Sequence, residues 1–420
     1  MKHHALSARP FAGASIVVAC LGSVAIGAVP SPAGAAGTPA RPTAKTTVAT
    51  APRCVRGYRK TIDYFPVKAK LVAAKNLTIT YARNYKVATI LKPFPGAPKP
   101  ATYVLVQCGT PVPKLVGELA GATVIKVPIT SAAIMSTTVA PAFDALGVAD
   151  RIVGVDDPNN YSTASVVERV KNGKAKTVGN NSKANLELLA SLKPSVVVAS
   201  SSGDDTADGF TKMREVGLNI VYEGSWLEED ALGRSEWVKL IGALTNTEQR
   251  AETQFAGWLA HYRDLAAKAA ATTARPKVIS GSMYQGTWYM PGGKSYVAQL
   301  LHDAGASYPW STDTSTGSLP LDFEAVLAKG QDAAVWVNAG YLWADLDAAT
   351  KEDPRYAKLA AFASGEVYGN DLRVNATGGN DFYETAVLRP DQVLEDLIAI
   401  LHPEISTGYQ QRYYRRISKK

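Results

Sequence analysis

From residue 129 onward, short apolar runs alternate with stretches whose apolar residues recur every three or four positions. Runs without a polar face, such as Ser195-Val-Val-Val-Ala199 and Ala333-Ala-Val-Trp-Val337, predict strands buried on both sides. One series places strands over 132–135, 151–155, 195–199 and 219–222, with helices over 139–146, 186–192 and 210–216; Pro194 stops the second helix. A second series follows Pro276, with strands over 277–280, 287–290, 333–337 and 366–368 and helices over 296–303, 323–328, 355–363 and 391–401. Such alternation is the signature of α/β lobes with largely parallel sheets.

Between the two series the period is helical. Trp237, Leu240, Ile241 and Leu244 fall on one face, and Phe255, Trp258, Leu259, Tyr262 and Leu265 repeat it. Thr245 with Glu248 predicts a capping box that restarts the helix. Neither Gly nor Pro interrupts 258–274, so a stiff rod of some two dozen residues is expected, ~35 Å long at ~1.5 Å per residue. Ahead of the first lobe, β-branched and aromatic residues over 76–81, 85–91, 101–107 and 122–127 predict four strands, the first two joined as a hairpin. The chain therefore divides into a β-rich segment over 61–127, a first lobe over 128–232, a connecting helical segment over 233–274 and a second lobe over 275–411.

Composition bears on the compartment and the partner. With 46% hydrophobic residues among 420, the chain has the apolar content for sizeable cores. Its formal charge of +8 is an end effect. No acidic residue precedes Asp63 whereas eight Lys and Arg do, and Arg412, Arg415, Arg416, Lys419 and Lys420 crowd a basic tail over 412–420. The body between is net acidic, which argues against a nucleic-acid surface. Lys2 and Arg9, an apolar run over 11–29 and Ala33-Gly-Ala35 have the layout of a secretory signal over 1–35, followed by a Pro-, Thr- and Ala-rich flexible linker over 36–60. An uncleaved membrane anchor is a second reading. A third takes Val17-Val-Ala-Cys20 as a lipobox with Cys20 lipidated, a membrane tether. Each exports the folded part to the periplasm or the outer face of the cytoplasmic membrane. Of three cysteines, Cys54 and Cys108 then remain, an even pair that reads as one disulfide in an oxidising compartment.

Two lobes on a single rigid connector enclose a cleft, and ligands bind at the C-terminal ends of α/β strands. The runs Ile134-Met-Ser-Thr-Thr138, Leu188-Leu-Ala-Ser-Leu-Lys-Pro-Ser195, Gly286-Thr-Trp-Tyr-Met-Pro-Gly-Gly293 and Arg389-Pro-Asp-Gln-Val-Leu-Glu-Asp-Leu397 resemble the solute-binding proteins of iron-complex (siderophore) and cobalamin ABC importers, over about residues 127–403. The resemblance implies an α/β fold of two Rossmann-like lobes joined by a long helix, here preceded by the β-rich segment. It also implies a monomer without catalysis or cofactor that captures a chelated iron complex, a ferric siderophore, and delivers it to an ABC permease with its ATPase. Cobalamin and haem are the alternative guests. Family members dock the permease through a Glu on each lobe; the Pro-Glu expected near Ala164-Ser165 is missing, and Glu168 is the nearest acid.

Site candidates sit where strands end. Ser136, Thr137 and Thr138 face the cleft or cap the helix that follows. Tyr161, with Asn159 and Asn160, follows the next strand, and Ser201, with Ser200 and Ser202, the one after. In the second lobe Tyr284, Gln285, Trp288 and Tyr289 surround a Gly286 turn, where aromatics pack on a flat chelate or alternate members face the core. Tyr341 and Trp343 follow the strand over 333–337. Arg373, in an Asn- and Gly-rich loop, offers a planar fork to an anionic chelate or serves a structural ion pair.

Other chemistries find little support. A receptor for bare zinc or manganese needs converging His or carboxylates, whereas His261, His302 and His402 are scattered, so no metal site is expected. No Gly-x-Ser-x-Gly elbow is present. Gly293-Lys-Ser295 imitates a P-loop end, but Trp288 stands where its first Gly belongs. The non-transport alternative is a metallochaperone or envelope scaffold built on the β-rich segment and its disulfide.

Overall fold

The computed structural model describes residues 54–340 and 342–419. The leader over 1–35 with Cys20, linker residues 36–53 and Tyr341 lie outside the described residues. Cys54 and Cys108 are joined as a disulfide.

Four strands come first: β1 (Leu77–Tyr81), β2 (Tyr85–Ile90), β3 (Ala101–Gln107) and β4 (Thr123–Val127). They pair in that order, antiparallel except for β4, which joins β3 in parallel. The first lobe holds β5 (Ala132–Met135), α1 (Ala140–Ala145), β6 (Ile152–Val155), α2 (Ala164–Lys171), β7 (Lys176–Thr177), α3 (Leu186–Leu192), β8 (Val196–Ala199), α4 (Phe210–Glu215) and β9 (Ile220–Tyr222). Its sheet is parallel throughout, in the order β7-β6-β5-β8-β9. Local chemistry sets the boundaries. Asn185 Oδ1 accepts from Leu188 N–H to start α3, and Lys193, in the left-handed region ahead of Pro194, ends it.

The connector consists of α5 (Ala231–Glu236), α6 (Val238–Thr245) and α7 (Glu248–Ala270). The second lobe holds β10 (Val278–Ser280), β11 (Met283–Tyr284), β12 (Thr287–Pro291), α8 (Tyr296–Asp303), β13 (Ser318–Leu321), α9 (Phe323–Gly330), β14 (Val335–Val337), α10 (Leu346–Glu352), α11 (Ala360–Ser364), β15 (Val367–Gly369), α12 (Thr385–Leu388), α13 (Pro390–Leu401) and β16 (Arg415–Arg416). One sheet runs β10-β14-β15-β16 with only β16 antiparallel, and β11-β12-β13 form a small antiparallel sheet beside it.

Helix α7 belongs to both hydrophobic cores. Ala251, Phe255 and Trp258 enter the core of the first lobe, and Tyr262, Leu265 and Ala269 that of the second. The six lie on one stripe, at alternating spacings of four and three. Burying each large side chain of the stripe contributes about 1.5–3 kcal/mol.

Three local expectations change. The capping box does not form: Thr245 Oγ1 bonds back to Ile241 O (2.6 Å), and Glu248 turns to Lys86. The chain restarts instead through Asn246, held left-handed at φ 56°. The helix read over 355–363 is split by extended Leu359 into a 3-10 turn, Pro354–Lys358, and α11. The described part of the basic tail, residues 412–419, is woven into the second lobe rather than trailing from it. Tyr413, Tyr414 and Ile417 are buried, Asp396 accepts the N–H groups of Arg412, Tyr413 and Tyr414, and Arg415 forks onto buried Asp371.

The β-rich segment shares the first lobe's core through Leu77, Ile90, Tyr103, Leu105 and Ile125. Buried carboxylates on the connector and just ahead of it fasten it. Glu236 accepts the N–H groups of Val72, Ala73 and Ala74 (2.7–2.9 Å) and pairs with Lys239, and Glu228 accepts those of Lys75 and Asn76. Lys86, fully buried on β2, donates to Ala243 O (2.6 Å) and Asn246 Oδ1 (2.7 Å) and pairs with Glu248. Burial pulls the Lys86 ammonium down to about 8, against the opposing charge of Glu248. Removing one partner strands the other charge. Lys86→Met is therefore expected to cost about 3–5 kcal/mol in denaturant unfolding, with much of the loss recovered in Lys86→Met/Glu248→Leu. A double variant no more stable than Lys86→Met would contradict this.

Candidate ligand-binding cleft

A cavity of about 780 Å³ lies between the lobes, at the C-terminal ends of strands from both sheets. Several of these strands end in an apolar or glycine residue followed by a polar one that reaches the cavity wall. In the first lobe these are Ser136 and Thr137 after β5, Asp156 after β6 and Ser200 after β8, with Asn180 and Asn181 beyond β7. In the second, Ser280 ends β10, Asn338 follows β14 and Asn370 follows β15. Tyr284, Tyr289, Tyr296 and Phe382 complete the wall with aromatic surface.

The second-lobe amides form a chain. Asn338 Nδ2 donates to Ser280 Oγ (2.9 Å), Asn370 Nδ2 to Asn338 Oδ1 (3.2 Å), and Asn380 Nδ2 to Asn370 O (3.2 Å). Tyr414 hydroxyl also donates to Asn338 Oδ1 (2.9 Å), which ties the C-terminal stretch to the cavity floor. Asp156 is the one charged side chain among the described lining residues. Burial holds its carboxyl above the usual carboxylate range, partly offset by the hydroxyl of Tyr161, which donates to Oδ1 at 2.7 Å.

The sequence candidates separate accordingly. Ser136, Thr137 and Tyr284 line the cavity. Thr138 faces smaller spaces behind it. Tyr161 is 1% exposed and reaches the cavity only through Asp156, its hydroxyl spent on positioning that carboxylate. Ser201 is buried, its hydroxyl donated to Asp208 (2.7 Å), so it fixes its own loop. Trp288 stands in the core because β12 alternates: Trp288 and Met290 point inward, and Tyr289 outward. Its Nε1 donates to Ser280 O, and its ring lies 5.1 Å from Trp336. Trp343 is drawn into the same cluster by Trp336 and Tyr356, with Glu352 receiving its N–H (2.7 Å). Arg373 lies outside the lining, half exposed, with Nε 3.0 Å from buried Asp381. No group of three or more His, Cys, Asp or Glu among the described residues is arranged to hold a metal ion.

The connector is not the only bridge between the lobes. A second-lobe strap over 373–384 crosses the cleft and binds the first lobe at 159–163. Asn375 Nδ2 donates to Asn159 O (2.9 Å) and Tyr161 O (3.0 Å), and Thr377 hydroxyl to Asn159 O (2.7 Å). Gly379 passes so close that a Cβ there would meet Asn159 O at 2.8 Å. Glu384, fully buried, accepts from the N–H groups of Ser162 and Thr163 and from Thr163 hydroxyl, at the first turn of α2. Its carboxyl is raised by burial, against those three donors.

Two α/β lobes closing on a polar interstrand cavity define a solute-binding architecture. The model of the periplasmic binding protein family matches residues 133–374, and the chain belongs to that family. It is 27% identical over 373 residues to an uncharacterized lipoprotein of Methanocaldococcus jannaschii, covering 82% of this chain and 86% of that one. Among solved structures it is similar in fold to a periplasmic haem-binding protein from Pseudomonas aeruginosa (TM-score 0.53, 19% identity, 70% of this chain and 99% of that chain). It is similarly related to a possible iron-binding (periplasmic solute-binding) protein from Staphylococcus epidermidis (0.52, 17%, 66% and 99%).

Glu384→Ala is expected to leave the amides of Ser162 and Thr163 without acceptors and to speed their hydrogen exchange about tenfold or more. Unchanged exchange there would show that the strap does not hold the lobes.

Proposed function

We propose that this protein is an extracytoplasmic receptor that captures an intact ferric siderophore between its lobes and presents it to an ABC permease with its ATPase. The observation that carries the reading is the wall itself. A large polar cavity of Asn, Ser, Thr and Tyr side chains from both lobes, without a metal-ligating cluster among the described residues, suits a guest whose metal is already fully coordinated. Such a lining recognises a chelate through its amide and hydroxamate oxygens and its apolar faces. With Asp156 the one charge on the described wall, it favours a neutral or cationic chelate over a multiply anionic one. Cobalamin is the second reading, favoured by the Asn338–Asn370–Asn380 amides, which complement a corrinoid's carboxamides.

Export and membrane tethering through Cys20 are part of the proposal, supported by the leader's pattern, the family and the lipoprotein relative. Among the described residues no helix is long and apolar enough to cross a membrane.

Ferrioxamine B, cobalamin and haem, added in turn, test the reading. One of them is expected to quench aromatic fluorescence and raise the melting temperature, by about 2.7 kcal/mol of added stability at a free concentration 100-fold above Kd. Ferrioxamine binding supports the first reading and cobalamin binding the second. No response to any of the three contradicts capture of a metal chelate.

A further inference from the structure

Behind the main cavity, on the connector side, lie two small spaces of about 90 and 30 Å³ that share Thr138, Val387 and Arg234. Tyr296, Phe382 and Tyr383 wall both the larger of these and the main cavity, so that annex adjoins the cleft across three aromatic side chains. Apart from Arg234 its lining carries no charge, and Leu300, Ala386, Pro390 and Val393 make much of it apolar. Arg234, on α5, is half-buried, with its guanidinium carbon 4.3 Å from the centre of the Tyr296 ring. Its Nε is sealed from solvent without a hydrogen-bond partner, and among the described residues no carboxylate pairs with it. Glu223 lines the smaller space, but its oxygens already serve Ser200 hydroxyl (3.0 Å) and Ser225 N–H (3.0 Å).

A cation set into an apolar recess without a counter-ion is costly, and the face of the Tyr296 ring offsets only part of that cost. The same surroundings make it strong toward an incoming anion, because little water screens the pair and the fork offers two parallel donors. We propose that Arg234 receives a carboxylate arm of the chelate, threaded past Tyr296 and Phe382 while the neutral body of the guest stays against the Asn and Ser wall. The proposal deepens the chelate-capture reading and rests on it. It also gives the guest a direction: its acidic end lies toward the connector.

A matched pair of probes tests it: ferrioxamine B with its terminal amine capped by a succinyl group, which ends in a carboxylate, or by an acetyl group, which does not. Wild-type protein is expected to bind the succinyl chelate at least tenfold tighter in calorimetric titration. Arg234→Gln collapses that ratio to near one, and Arg234→Lys keeps part of it. Equal affinity of wild type for the two probes, or a ratio that survives Arg234→Gln, overturns the assignment of Arg234 while leaving chelate capture intact. Failure of both probes to bind overturns the ferric-siderophore reading and the proposal with it. Melting of the ligand-free protein supplies a separate test. Arg234→Met removes a charge that no carboxylate pairs with among the described residues and is expected to melt at or above the wild-type temperature; a fall of several degrees makes Arg234 a structural residue and overturns the proposal.

Discussion

One long helix, α7, runs through both cores of this protein, and neither core can give it up. Along α7 a single apolar stripe passes from Ala251, Phe255 and Trp258 in the first core to Tyr262, Leu265 and Ala269 in the second. A lobe rotation would have to bend a 23-residue helix or pull half its stripe into water, and each buried aromatic contributes on the order of 2 kcal/mol against that. The strap at 373–384 adds hydrogen bonds on the far side of the cleft, with Glu384 set into the first turn of α2. A cleft held at both sides keeps its polar walls at nearly fixed separation, which suits a rigid guest that must be recognised whole.

The β-rich segment extends the same constraint. Glu228, just ahead of the connector, and Glu236 and Glu248 on it hold backbone N–H groups at 72–76 and the buried ammonium of Lys86. Such carboxylates add little net stability against an apolar alternative, but each one broken strands its partners. Their value is positional, since they fix the segment's register on the α6–α7 junction. Asn246, the left-handed residue between those helices, bonds both Lys86 and Gln107 and so reads that register directly.

Much of the fold is legible in the sequence because its central strands bury both faces, and wholly apolar runs such as 196–199 and 333–337 have no other use. What escapes is held by tertiary pairing alone. Lys176–Thr177 and Arg415–Arg416 carry no apolar signal and become strands at sheet edges. Ser318–Leu321 is one too, with Pro320 tolerated at an edge. Of the site, the rule that ligands meet strand ends reaches Ser136, Thr137 and Tyr284, and applied to every strand it also reaches Asp156, Asn338 and Asn370. Trp288 and Trp343 show its limit, since a large aromatic near a strand end fills the core whenever an indole acceptor such as Ser280 O or Glu352 waits there. Arg234 lay hidden for the opposite reason: it sits within a connector helix, where a charged residue reads as solvated, and only the packing of Tyr296 and Phe382 brings it beside the cleft.

The fixed separation of the lobes is measured directly by a distance distribution across the cleft. Spin labels at the exposed positions Lys171, on α2, and Glu324, on α9, report on one lobe each. Pulsed electron spin resonance is expected to give one narrow distribution whose mean scarcely moves when a ferric chelate is added. A broad distribution without chelate, or two populations that merge on its addition, would mean that the lobes hinge freely and that α7 does not bind their cores into one body.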